Sequence, residues 1–434
     1  MSASLLTVVA PLLLKSDKKM PLTLSLATSC LTLYPLVLKS STSMSPLWFT
    51  DQISNAFSLT NLWLTLLVVA ISLKTLLVPY VLTCLGSLLF FSASSWLFVF
   101  VAFEASTLPI YYVIVGLGQQ PERLQAARFM LLYTVLSSVP LLFVIVSYVV
   151  EGKSHLSFTP LSTWDPSSNL IALLFMLAFL VKSPLFCFHS WLPKAHVESP
   201  LAGSILLAGV LLKFGANGLY RVSFLFPAFY ASLMMKFLFT ISLLGALYGA
   251  IMCVVSIDSK VVVAYASVSH MNVGISAFFL YKLSSLSGFF LSMISHSFCS
   301  SLLFLLVVKC SKLSNSRSQL VNIGAMSSSF VLSTFNLLGW VLNMNIPPNI
   351  GFNGELLYLA SILCLHALPT VLFLGYVFVS SVYSSLSYGM VSHSPFKVGF
   401  KSDELISVMF FTGVFVLGFP PVLLFLFPNL IIYE

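Results

Sequence analysis

The chain has 434 residues, of which 59% are hydrophobic and 7% are charged. Soluble globular proteins carry roughly 25% charged residues, so 20 Lys and Arg with 12 Asp and Glu exclude a cytosolic enzyme, a disordered chain and a secreted disulfide scaffold. The basic excess is small and its clusters (Lys15, Lys18, Lys19; Lys309, Lys312, Arg317) fall between apolar runs, which gives no stripe for nucleic acid.

No Asp, Glu, Lys or Arg interrupts 75–103, 129–150, 237–257, 261–281, 283–308, 318–354, 356–396 or 405–433. A membrane-crossing helix needs about 20 apolar residues, and with its connection uses roughly 30, so the length allows about 14 spans. The runs are continuous rather than alternating, which excludes an outer-membrane barrel. Backbone groups in lipid must be bonded within their own segment, so the runs are helices. The fold class is all-α, polytopic, in one membrane domain over 1–434.

In chain order the spans are predicted at 3–15, 20–38, 59–74, 76–93, 95–115, 124–149, 169–192, 197–222, 228–255, 259–281, 285–309, 325–364 (interrupted), 366–388 and 404–427. Polar links at 15–19, 39–55, 116–122, 151–168, 309–318 and 392–403 separate them, and none could hold an extramembrane domain. Two spans carry breakers. Pro184 and Pro193 flank Cys187-Phe188-His189-Ser190-Trp191, and Pro347-Pro348-Asn349 precedes Gly351 and Gly354. Proline removes a backbone donor and crowds the preceding turn, so a helix kinks or stops there. Interrupted helices in corresponding halves of a chain point to transporter folds with the working site at the break.

A charge at mid-bilayer costs about 3 kcal/mol or more and usually faces a partner or a wet cavity. Lys74, Arg128, Lys236 and Lys282 lie near the ends of runs, where their stems can snorkel to the interface. Glu104, Lys182, Lys213 and Glu355 do not. Glu104 follows 75–103, Lys182 precedes Pro184 by two positions, Lys213 sits well inside 197–222, and Glu355 stands between 318–354 and 356–396. Two acids and two bases at depth suggest a proton relay, because a buried Glu–Lys pair titrates as a coupled unit and lysine responds readily to desolvation. A static ion pair bracing two helices is the competing reading. His270 and His296 lie in spans beside Ser267, Ser269, Ser295 and Ser297 and offer stepping stones that titrate near neutrality, or else packing histidines. His189 and His196, near the first break, read as structural. Nothing attaches to His155, His366 or His393.

Other motifs fail. Cys30, Cys84, Cys187, Cys253, Cys299, Cys310 and Cys364 form no CxxC pair and read as small hydrophobes. Glu151-Gly152-Lys153-Ser154 lacks the glycine that a phosphate loop requires, since that position holds Ser147. No cluster has metal-ligand spacing, so neither a metal nor a bound cofactor is expected. The first arginine is Arg123, which does not suit an Arg-rich presequence and favours synthesis inside an organelle or a bacterium.

Leu192-Pro193-Lys194-Ala195-His196-Val197-Glu198, Pro200-Leu201-Ala202-Gly203-Ser204 and Leu211-Leu212-Lys213 resemble the chain 4 family of antiporter-like subunits of respiratory complex I, mitochondrial type. So do Phe103-Glu104-Ala105, Gln120-Pro121-Glu122-Arg123-Leu124, Ser269-His270-Met271, Ser300-Ser301-Leu302-Leu303-Phe304 and Pro347-Pro348 with Gly354-Glu355-Leu356, in family order over roughly 95–390. The resemblance implies fourteen helices. After N-terminal helices in 1–75 come two inverted five-helix repeats, 76–222 and 228–388, and then a C-terminal helix in 404–434; helices 7 and 12 are the discontinuous ones. It implies that Glu104 and Lys182 are the helix-5 and helix-7 partners, Lys213 the helix-8 lysine, His270 and His296 the histidines of helices 10 and 11, and Glu355 the helix-12 glutamate. Together these form a proton-carrying axis coupled to quinone reduction elsewhere. FMN, iron–sulfur clusters and ubiquinone would then belong to other subunits, and the partners would be complex I subunits, above all the antiporter-like subunits 2 and 5, with membrane lipids, in the mitochondrial inner membrane. Ser295 and Ser297 stand where the family more often has Ala and Gly, Asn217 where an aromatic is usual, and 1–60 matches poorly. A stand-alone cation/proton antiporter subunit of the same superfamily and a membrane scaffold with inert ion pairs are the alternatives.

Overall fold

In the computed structural model the described residues are 43–44, 48–71, 77–118, 120–150, 169–226, 229–230, 232–327, 329–365, 367–393 and 408–426. A two-residue antiparallel pair, β1 (Ser43–Met44) with β2 (Phe49–Thr50), joins Ser43 to Thr50 and Met44 to Phe49, a small departure from the all-α expectation. All the longer elements are helices, and the predicted spans at 3–15 and 20–38 lie outside the described residues.

Helix α1 (Gln52–Ile71) begins before the predicted start at 59. The Ser54 N–H donates to Asp51 Oδ1 at 2.7 Å and the Asp51 N–H to Ser54 Oγ at 3.0 Å. That reciprocal pair satisfies amides that a helix start leaves orphaned, so 52–55 leaves the expected polar link at 39–55 and joins the helix. Next come α2 (Leu77–Ser92), α3 (Trp96–Leu117) and α4 (Arg123–Val150), close to prediction. The first interrupted span is α5 (Asn169–Lys182), a non-helical stretch over 183–190, and α6 (Trp191–Glu198). Pro184 lies in the gap, whereas Pro193 lies in the first turn of α6, where its missing N–H removes no helical bond. The gap is held from both sides: Trp191 Nε1 donates to Val181 O at 3.1 Å, and Tyr133 OH meets Ser190 Oγ at 2.8 Å. Helix α7 (Leu201–Leu225) contains a π-helical turn, Leu207–Leu211.

The remaining helices are α8 (Leu233–Val255), α9 (Ser259–Leu280), α10 (Leu283–Ser314), α11 (Phe330–Asn343), α12 (Ile350–Leu363), α13 (Ala367–Ser392) and α14 (Val408–Leu426). The second break therefore falls over 344–349 and contains Pro347-Pro348. Among the described residues eight helices are long and apolar enough to cross a membrane, and their outward faces suit hydrocarbon: Leu136 and Phe143 of α4 and Phe378 of α13 are all at least two-thirds exposed.

Packing divides the chain into two compact units. One takes in the described residues up to Trp191 with Glu198–Leu238, and the other takes in Leu192–Val197 with the described part of Phe239–Pro428. In the first, Arg221 of α7 is buried and its Nη1 donates to Ala93 O at 2.6 Å, with Nη2 on Phe91 O. These carbonyls end α2, so the guanidinium caps a helix C-terminus, where a cation is favoured. In the second, α10 meets α12 through two glycines: a Cβ on Gly288 would lie 2.7 Å from Gly354 O, and one on Gly354 would lie 2.9 Å from Gly288 O. Only residues without a side chain allow that approach, and it brings Glu355 beside the Ser292–His296 face of α10.

Candidate functional site

In the first unit the break leaves Lys182 as the last residue of α5, fully buried. A half-helix C-terminus presents unsatisfied carbonyl dipoles, which favour a cation. Its Nζ lies 5.2 Å from the centre of the Phe103 ring and 5.9 Å from that of Trp191, within range of cation–π attraction. Glu104, next to Phe103 on α3, is the carboxylate that acts on Lys182 electrostatically. Lys182 Nζ and Glu104 Oε1 are both buried without a hydrogen-bond partner among the described residues. Two opposite charges near each other but not locked by a hydrogen bond can exchange a proton with water more readily than a closed ion pair. Buried polar atoms without a protein partner are expensive, and in proteins they usually mark places that water serves.

Lys213 is buried on α7, two residues past the π-helical turn, and its Nζ donates to Ala208 O at 2.9 Å. A π turn shifts carbonyls off the regular ladder and tends to occur at functional sites. Here it supplies an acceptor for the ammonium.

In the second unit one cavity of ≈ 20 Å³ is lined by His270, His296, Ser295, Asn343, Asn345 and Glu355 among others. One water needs roughly 10–15 Å³ of such space and 2–4 polar partners, which these side chains provide. The rings of His270 and His296 are 6.1 Å apart, a gap that one water can bridge. Tyr376 OH lies 2.8 Å from His270 Nδ1 and fixes that ring, and Asn343 is a further polar neighbour of His270 in the same cavity. Glu355 is half-buried, with Asn345 Nδ2 donating to its Oε1 at 2.7 Å. So His270, His296 and Glu355 share one polar cavity, and Glu104 acts on Lys182 through space.

The other ionisable groups behave differently. His196 stacks flat on Phe304 at 4.9 Å and His189 on Phe186 at 5.6 Å, in keeping with the structural reading. Arg128 and Lys236 are exposed, while Lys282 Nζ donates to Ser361 O at 3.1 Å; Lys74 lies outside the described residues. No group of three His, Cys, Asp or Glu among the described residues could hold a metal ion. Sequence reasoning missed Asn343, Asn345 and Tyr376. The signal for the first two was available, since an Asn-Met-Asn triplet ends one residue before the Pro347-Pro348 breaker; Tyr376 gave none.

Residues 93–383 match the family described as NADH:quinone oxidoreductase/Mrp antiporter, TM. The chain is similar to "NADH-ubiquinone oxidoreductase chain 4" of Ceratitis capitata, with 35% identity over 77% of this chain and 75% of that one. It is also similar to the protein of the same name from Rhipicephalus sanguineus, with 35% identity over 86% of each. Its fold is similar to a chain of "Respiratory complex I from Thermus thermophilus with bound NADH", with a TM-score of 0.87, 23% identity, and coverage of 98% of this chain and 96% of that one.

Proposed function

The chain belongs to the NADH:quinone oxidoreductase/Mrp antiporter family, and on that premise we propose that it is a proton-translocating membrane-arm subunit of NADH:ubiquinone oxidoreductase. It contributes to that enzyme as a subunit and carries protons rather than electrons. The two repeats are the inverted five-helix segments 76–222 and 228–388, and each contributes one interrupted helix with ionisable groups beside it. Lys182 is the carrier of the first repeat and Glu104 its switch: the ammonium is held while the carboxylate is charged and near, and releases its proton when that charge is neutralised or withdrawn. Lys213 is the second basic site of that repeat. In the second repeat His270 and His296 pass protons through cavity water to Glu355. The partners are other complex I subunits, with the antiporter-like subunits 2 and 5 as the chief neighbours, in the mitochondrial inner membrane, and FMN, iron–sulfur clusters and ubiquinone belong to other subunits of the complex.

The observation that carries this reading is the cavity shared by His270, His296 and Glu355. A scaffold has no use for it, because apolar side chains of the same volume would pack as well without the desolvation cost of ions. The switch role is tested by Glu104→Ala in the intact complex, reconstituted in sealed vesicles. Proton flux through this subunit falls by about ten-fold, the effect of losing roughly 1.4 kcal/mol of charge interaction, and the proton-to-electron ratio drops. An unchanged ratio defeats the role given to Glu104.

A further inference from the structure

The second break is wired by two asparagines in a fixed direction. The Gly351 N–H can only donate, and it lies 3.2 Å from Asn349 Oδ1, which also accepts from Ser295 Oγ at 2.9 Å. The Leu342 carbonyl can only accept, and it lies 2.6 Å from Asn349 Nδ2. These backbone groups decide which way round the Asn349 amide sits. Asn349 Nδ2 then donates to Asn345 Oδ1 at 2.9 Å, which sets the Asn345 amide in turn and leaves its Nδ2 to meet Glu355 Oε1 at 2.7 Å. An amide N–H has no lone pair for a proton.

We propose that Asn345, aligned through Asn349, is a positioning residue for Glu355: it holds Oε1 as an acceptor, so that Glu355 exchanges protons with the His270–His296 cavity through Oε2. This rests on the reading of Glu355 as a relay group. The backbone is arranged to keep Asn345 there. Its φ is 53°, a left-handed conformation that asparagine tolerates better than most residues. A Cβ added to Gly351 would lie 2.1 Å from Asn345 Oδ1 and 2.7 Å from Ser295 Oγ, so glycine at 351 is what leaves room for the amide.

Two variants of the intact complex test this. Asn345→Gly keeps the left-handed backbone and deletes the amide. Gly351→Ala adds one methyl group, touches no polar atom of Glu355, and displaces the Asn345 side chain. Difference infrared spectra read the carboxyl C=O stretch of protonated Glu355, identified by its disappearance in Glu355→Gln, alongside the proton-to-electron ratio. Both variants shift the band to higher frequency, as expected on losing a hydrogen bond to the carbonyl oxygen, and lower the proton flux several-fold. The double variant is no worse than either single one, because both act through the same contact. A band at the wild-type frequency with a wild-type ratio in both variants overturns the proposal. An unchanged ratio in Glu355→Gln itself overturns instead the relay reading on which the proposal rests.

Discussion

With Lys182 replaced by methionine, proton flux through this subunit falls by at least about 10²-fold, the scale on which a positioned acid–base group contributes to a proton-transfer step. Methionine is unbranched and of similar length, so it refills the space between Phe103 and Trp191, where Lys182 Nζ lies 5.2 and 5.9 Å from the two rings. Removing one charge of a buried pair leaves the other uncompensated, so Glu104, whose Oε1 is buried, takes up a proton and stays neutral, and with the space refilled the complex assembles and NADH oxidation remains measurable. What is lost is the ability to take up and give back a proton at the end of α5. The check is the number of protons moved per electron in vesicles containing the variant complex. If Lys182 and Glu104 only brace their helices, the variant pumps like the wild type but unfolds more easily.

Glu355→Gln gives a loss of the same order by a different route. The glutamine oxygen still accepts the hydrogen bond that Asn345 Nδ2 makes at 2.7 Å, and the close approach of Gly288 and Gly354 is untouched. Local structure is therefore retained while the group can no longer ionise. Proton flux from the His270–His296 cavity stops at that point, and the proton-to-electron ratio falls by as much as it does with Lys182→Met. A glutamine variant that pumps normally would exclude Glu355 from the relay.

The charges at depth were legible because each stands alone in an otherwise uncharged run, and the breaks were legible because proline cannot continue a helix. Legibility ended where function depends on three-dimensional closure. Tyr376 is unremarkable in an apolar run, and the Asn343-Met344-Asn345 triplet marks the break without showing its partner; only the turn over 344–349 brings Asn345 to Glu355, and only the packing of α13 brings Tyr376 to His270. The π-helical turn over Leu207–Leu211 has the same apolar pattern as an ordinary helix, so periodicity could not find it. Hydropathy placed the start of α1 too late because Ser54, Asn55 and Ser58 are buried polar residues that a hydrophobic threshold rejects, although the Asp51 and Ser54 cap was present as a signal. Nothing in the sequence singled out Arg221, whose guanidinium closes the end of α2. Pro193 looked like part of a breaker and proved to be a helix starter.

Ordered water in the second unit tests the central claim most directly. A density map of the intact complex at a resolution that reveals individual waters is predicted to show at least one in the cavity of His270, His296 and Glu355, within hydrogen-bond distance of a histidine nitrogen or of Glu355 Oε2. A cavity closed by aliphatic side chains, with the two rings and the carboxylate sealed from one another, contradicts the account.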